Sequence, residues 1–345
     1  MEIVPYNLTL DPPLRTADGT IDARSGYLVY LDGGIGDAAP LPGWTESDRA
    51  CRRALETAAD RLAADGPRAA MDELDPQATP AARHGLALAI ADRRAQAAAE
   101  PLYHALGGTH RETVPVNATI GLCDTDTTVE RAHSAVAAGM QTVKLKLDGE
   151  AIDKEISRIR AVRAALDPAV RLRGDANGAW SFAQAERVYA ALEPSTLEYI
   201  EQPLPAADLT GHAHLRGPDR VGVALDESCR NHALSTILAA DAADVIVLKP
   251  MAIGGPMRTR ALAMRAHNAG CTPVITTTID GVVARTGAVH IAASLPTMTA
   301  HGLATADRLA TDQGPDPARV TDGAIAVPQQ PGHGVTQIDD RYTPA

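Results

Sequence analysis

Of the 32 basic residues in this chain of 345, only Lys144, Lys146, Lys154 and Lys249 are lysines; arginine supplies the rest. Arginine stays charged at any working pH, whereas a buried lysine beside another cation gives up its proton more easily. A lysine retained in such a sequence marks a place where losing a proton would matter. Lys144 and Lys146 stand two apart in TVKLKLD. Strand alternation turns both to one side, and Val143, Leu145 and Leu147 to the other. On a buried face each raises the cost of charging the other, which favours a lysine that is neutral for part of the time. On an exposed edge strand the same pair would only deter aggregation.

Three acids lie at the ends of the next three apolar runs: Asp175 in RGDAN, Glu201 in IEQP and Asp226 in LDES. Any one of them alone could cap a helix, since Asp and Ser commonly sit where a strand hands over to a helix. Together on successive strands they form an all-oxygen set that suits a hard cation such as Mg²⁺. Buried without a cation they would be strongly disfavoured. Lys249 closes a later run, just before Pro250.

These residues need a scaffold that brings strand ends together. Eight strand-like runs are counted, starting at Val114, Thr142, Val170, Leu197, Val221, Asp244 and Thr272, with a weak last one over 300–304. Alanine-rich amphipathic stretches separate them, the alternation of a parallel β/α architecture. The expected fold class is α/β: an eight-stranded β/α barrel of the TIM type over 111–312, an α+β capping domain over 1–110, and a C-terminal segment, 313–345, returning to the cap. Within the cap, strands are expected near 2–10 and 27–32, then a Gly33-Gly34 turn and a first helix from about Thr45. In a ring of eight, strands two and six are opposite, so Lys146 and Lys249 face each other across the mouth. A substrate carboxylate held between them is placed for removal of its α-proton, with Mg²⁺ stabilising the enediolate and a lysine taking the proton.

The net charge of −11, with no clustered basic stretch, argues against nucleic acid as a partner. No apolar run approaches the roughly 18 residues that cross a membrane. The N-terminus MEIVPYNLTLDPPLR has neither the basic start nor the apolar stretch of a secretory signal, so a cytoplasmic location is expected. Cys51, Cys123, Cys229 and Cys271 are scattered singly and are expected to be buried or idle thiols. The acidic, lysine-poor composition is consistent with salt adaptation. Nothing in the sequence sets the oligomeric state.

Taken together these residues resemble the enolase superfamily, its muconate-lactonizing branch, and within it the o-succinylbenzoate synthases, over nearly the whole chain. The resemblance implies that Lys146 is the general base, Lys144 its pKa-lowering neighbour and Lys249 the lysine of the opposite face. It makes Asp175, Glu201 and Asp226 the ligands of Mg²⁺, for which Mn²⁺ can substitute. GDAAPLPGW, from Gly36 to Trp44, is similar to a cap segment written GE-x-x-PLPGF, with Asp37 for Glu and Trp44 for Phe. Arg173, Asn177 and Trp180 resemble R-x-DAN-x-AW, and Gly302, Leu303, Thr305 and Asp307 resemble GL-x-T-x-D. Arg173, Asn177 and Gly302 are accordingly expected at the substrate. Where synthases often show SSSxE, this chain has Thr276, Thr277, Thr278 and Asp280. Thr277 and Thr278 are expected to hydrogen-bond a small-molecule carboxylate substrate.

The implied reaction is dehydration of 2-succinyl-6-hydroxy-2,4-cyclohexadiene-1-carboxylate to o-succinylbenzoate, a step of menaquinone biosynthesis. The same constellation serves racemisation or epimerisation of N-acylated amino acids and, more remotely, cycloisomerisation of a muconate. The acidic DxD of dipeptide epimerases is replaced here by HGLAT at 301–305. A barrel that binds without catalysing is the alternative from another class; degenerate members lose the base or a ligand, and here all five positions are filled.

Overall fold

A computed structural model describes residues 1–16 and 19–344. Its N-terminal strands Glu2–Thr16, Gly19–Leu31 and Gly34–Ala38 pair antiparallel in chain order. The first is longer than expected, because beyond an irregularity after Thr9 pairing resumes between Leu14 and Ile21. The turn between the second and third falls at Asp32 and Gly33, both at positive φ. The helix Asp48–Asp72 starts behind Ser47, whose side chain accepts from the Ala50 N–H. A second helix, Pro80–Ala97, lies so close to the third strand that a Cβ at Gly36 would meet the Gly85 carbonyl oxygen at 1.9 Å. Glycine is what permits that approach.

Among the described residues seven parallel strands follow, each hydrogen-bonded to the next in chain order: Ala118–Ile120, Thr142–Lys146, Arg171–Asp175, Tyr199–Glu201, Gly222–Leu225, Val245–Leu248 and Thr272–Ile275. Helical crossovers join them, as parallel pairing requires. Strands covered on both faces need apolar residues throughout, and Val245–Leu248 is buried at all four positions.

Two expectations are corrected. The run VPVNATIG divides: Thr113–Pro115 pairs antiparallel with Ala324–Ala326, and only Ala118–Ile120 joins the parallel sheet. The division falls where the Val116 N–H turns to Gly323 and the Asn117 N–H to His301. Over 300–304 no strand forms. Single parallel bridges, Val116 with His301 and Thr276 with Gly302, tie this segment to both edges of the sheet. AHGLA has too little strand preference for more, and a Cβ at Gly302 would meet Thr276 Oγ1 at 2.6 Å.

Beyond residue 312 the chain returns to the N-terminal sheet. Gln313 donates to Asp37 at 3.0 Å and Tyr30 to the Tyr342 carbonyl at 2.6 Å. Cys51 and Cys271 are buried and all four cysteines are free thiols. Among the described residues no helix is long and apolar enough to cross a membrane.

Candidate active site

Register across the parallel strands sets the first row of charged groups. Lys146 pairs with Asp175, and Asp175 with Glu201. Glu201 pairs with Ala224, so Asp226, two residues on, follows on the same side just past its strand. Lys249 directly follows Val245–Leu248. A cavity of about 660 Å³ is lined by Lys144, Lys146, Asp175, Glu201, Asp226 and Lys249 together. The strand that carries the lysine pair is flanked on both sides, which removes the edge-strand reading.

Each lysine meets a carboxylate. Lys146 Nζ donates to Asp175 at 2.7 Å and to Asn177 Oδ1 at 2.7 Å. Lys144 Nζ lies 2.9 Å from Asp175 and 3.1 Å from Glu201. Lys249 is paired with Asp226 and stands 3.8 Å from the centre of the Trp44 ring. Burial works against the charge on Lys144, but Asp175 and Glu201 outweigh it and hold its pKa well above the ordinary lysine value. The expectation that each lysine of the pair raises the cost of charging the other is outweighed at Lys144 by the acids that face it. Spacing along one strand reveals two like charges but not the acids that face them from the next strands.

The acids divide. Burial pushes the Asp226 carboxyl up to about 6, against the pull of Lys249. Burial also raises Glu201, with Lys144 opposing. Asp175 is buried too, yet Lys144 and Lys146 bring it below the usual carboxylate range. Among the described residues no three acidic, histidine or cysteine side chains already surround one metal position, since these acids lean on lysines. The donor set still fits a hard divalent cation. It is all oxygen, and Asp226 Oδ1 is buried with no hydrogen-bond partner, an acceptor that such an ion would engage.

Of the residues expected at the substrate, Asn177, Thr277 and Thr278 line the cavity. Asn177, at φ +46°, accepts from Lys146 and donates to Glu227 at 3.0 Å. Thr277 Oγ1 is 3.0 Å from Thr305 Oγ1, and Thr278 Oγ1 donates to Asp280. Arg173 is a correction: it is fully buried and absent from the cavity wall. Its guanidinium donates to Glu198, Asn117, Thr299 Oγ1 and the Ala300 carbonyl, and sits over the Tyr199 ring. With its three nitrogens engaged by protein, Arg173 ties neighbouring segments together away from the cavity wall. Gly302 is also outside the wall, and serves the close approach to Thr276.

Other contributors escaped the sequence. Gln202 Oε1 accepts from the Asp226 and Ser228 N–H groups at 3.1 Å each, which aims the turn carrying Asp226. Its only signal was its place in IEQP. The sequence marks Trp44 as part of a cap segment and gives no sign that its ring lies over Lys249. Leu14, Ile279 and Thr119 line the cavity with no signal of their own.

Residues 127–341 match the family described as Enolase C-terminal domain-like. An o-succinylbenzoate synthase of Thermobifida fusca is 36% identical over 221 residues, covering 63% of this chain and 67% of that protein. An N-succinyl-L-Arg/Lys racemase of Bacillus cereus is 28% identical over 222 residues, 64% of this chain but only 60% of the racemase. The solved dipeptide epimerase of Methylococcus capsulatus, complexed with Mg and the dipeptide L-Arg-D-Lys, aligns with a TM-score of 0.83 at 26% identity, over 96% of this chain and 98% of that one. The chain belongs to the enolase superfamily, in the branch that holds muconate-lactonizing enzymes, o-succinylbenzoate synthases and epimerases. Members of that superfamily are enzymes and bind Mg²⁺.

Proposed function

We propose that this protein is an o-succinylbenzoate synthase, dehydrating 2-succinyl-6-hydroxy-2,4-cyclohexadiene-1-carboxylate by lysine-catalysed α-proton abstraction. The observation that carries the reading is the gathering of three rare lysines and three strand-end acids on one cavity. The similarity to the Thermobifida fusca synthase supports the choice of product. In this reading 300–304 takes the eighth position of a closed barrel, and 1–110 with 313–345 forms the cap.

Asp175, Glu201 and Asp226 would hold Mg²⁺. When bound, that ion supplies the positive charge that makes the α-proton of a carboxylate more acidic. Lys146 takes the proton, acting outside its ion pair with Asp175 and oriented by Asn177. The electron pair left on the α-carbon first moves into the carboxylate, then returns to form the ring double bond as the neighbouring C–O bond breaks. Lys146 gives its proton to the departing hydroxide, water leaves, and the ring becomes aromatic. Lys249 stays protonated and steadies the carboxylate charge from the other face.

Racemisation of an N-succinylamino acid is the second reading. Lysines from strands four places apart in the sheet, both lining the cavity, suit it, and the Bacillus cereus relative carries that name. Purified protein with Mg²⁺ is assayed on the cyclohexadiene and on N-succinylamino acids. The expected result is a kcat/KM at least about tenfold higher for dehydration, a difference of roughly 1.4 kcal/mol. The reverse preference would make the protein a racemase, and turnover of neither would overturn both readings.

A further inference from the structure

The roof of the cavity is made by two segments distant in sequence: Leu41, Pro42, Gly43 and Trp44 from the N-terminal part, and Thr276 to Ile279 after the last strand of the parallel sheet. The side chain of Arg24 joins them. Arg24, on the strand Gly19–Leu31, is 2% exposed. Its Nη1 donates to the Pro40 carbonyl at 2.8 Å and its Nη2 to the Ala39 carbonyl at 2.9 Å. Its Nε donates to the Ile279 carbonyl at 3.2 Å, and Nη2 lies 3.7 Å from Asp280. A planar guanidinium serves three carbonyls spread over two segments, a task that the single-point ammonium of lysine does not perform.

The carbonyls held are those next to the residues that matter. Ala39 and Pro40 lead directly into Leu41 and Trp44. Ile279 adopts φ +59°, where a β-branched side chain is strained. Such a conformation persists only when its surroundings enforce it. Here the Ile279 carbonyl is held by Arg24, and its N–H donates to Thr277 Oγ1 at 3.2 Å. The next residue, Asp280, accepts from the Thr278 N–H at 3.1 Å and from the Thr278 hydroxyl. Arg24 itself is not part of the cavity wall.

We propose that Arg24 is a positioning residue: by clamping 39–40 to the strained turn at Ile279, it sets the Thr277 and Thr278 hydroxyls and the Trp44 ring against the substrate. This rests on the reading of the cavity as a substrate site. Arg24 acts on substrate fit and not on proton transfer, so loss of the clamp appears in KM.

The test compares Arg24→Gln and Arg24→Lys with the wild type, each loaded with Mg²⁺. Arg24→Gln should raise KM for the cyclohexadiene about tenfold or more with kcat nearly unchanged, the pattern of lost uniform binding. Mg²⁺ affinity by calorimetry should stay at the wild-type value. In a Thr277→Val background the same substitution should raise KM by much less, since both changes disable one coupled unit. A second arm needs no substrate. Trp44 and Trp180 are the only tryptophans, and Trp180 is buried, so acrylamide quenching reports Trp44. Quenching should increase in Arg24→Gln and less in Arg24→Lys, which retains a charge and is the variant to use should Arg24→Gln not fold. A variant with a lowered melting temperature but wild-type KM and quenching would reduce Arg24 to a structural residue and overturn the proposal, as would full additivity with Thr277→Val. If the wild type turns over no tested substrate, the assigned reaction fails, while the quenching arm still judges the clamp.

Discussion

The floor and the roof of the cavity are built by different means. The floor is a set of six charged groups on the ends of neighbouring strands, placed by backbone register and paired lysine against carboxylate, with Asp226 Oδ1 left without a partner. The roof is apolar and hydroxyl-bearing, made by segments far apart in the chain and joined from behind by the buried Arg24. A charged floor set by strand register suits proton abstraction next to any carboxylate. A roof that depends on a few clamps is the part that can change while the floor stays. That division agrees with a branch in which relatives bear the names synthase, racemase and epimerase.

The largest expected effect belongs to the floor, and arginine substitutions reveal what each lysine does. Lys146→Arg should lower kcat for dehydration by about 10³-fold or more, because arginine does not release a proton at working pH. Lys249→Arg should keep dehydration within about tenfold of wild type, since a fixed positive charge is all the proposed role requires. Any racemase activity should vanish in both. Equal, complete loss of dehydration in the two variants would mean that the two faces do not differ as described.

Much of the floor was legible beforehand because it is local. Two lysines at strand period and one acid at the end of each following run are patterns of a few residues, and parallel register then places them in a row. The roof was not legible, because its logic lies in contacts across the whole chain. Arg24 reaches Ile279, 255 positions away, and Trp44 reaches Lys249. Arg173 shows the same limit from the other side. Its motif put it two residues from Asp175, on the same side of the strand and level with Lys144, yet its guanidinium is taken up by Glu198, Asn117, Thr299 and Ala300, which spacing along one strand does not reveal. The expected eighth strand fell short because a glycine-containing pentapeptide can contribute isolated bridges without forming a ladder.

The smallest expected effect probes the support of the roof. Asp37, just before the segment that Arg24 holds, is fully buried, and burial pushes its carboxyl up to about 7 although Tyr6 and Gln313 donate to it; Asp280 adds to the rise and Arg24 opposes it. His84 meets its backbone carbonyl. A folded pKa above the unfolded one means that the native protein keeps a proton which the unfolded chain releases. That stability is fully present below about pH 4 and is lost as pH rises through about 7. Melting temperature measured across this window should therefore fall more steeply in the wild type than in Asp37→Asn, by a few degrees. Identical slopes would show that Asp37 stays ionised throughout and that the roof carries no such proton.

The chemistry proposed for the floor depends on Lys146 removing the α-proton. Single-turnover dehydration of the cyclohexadiene carrying deuterium at its α-carbon, run with Mg²⁺ on the wild type and on Lys146→Ala, tests it most directly. A primary isotope effect is expected in the wild type, and no detectable turnover in a folded, Mg²⁺-binding Lys146→Ala. A Lys146→Ala enzyme that turns over at near wild-type rate with the same isotope effect would contradict it.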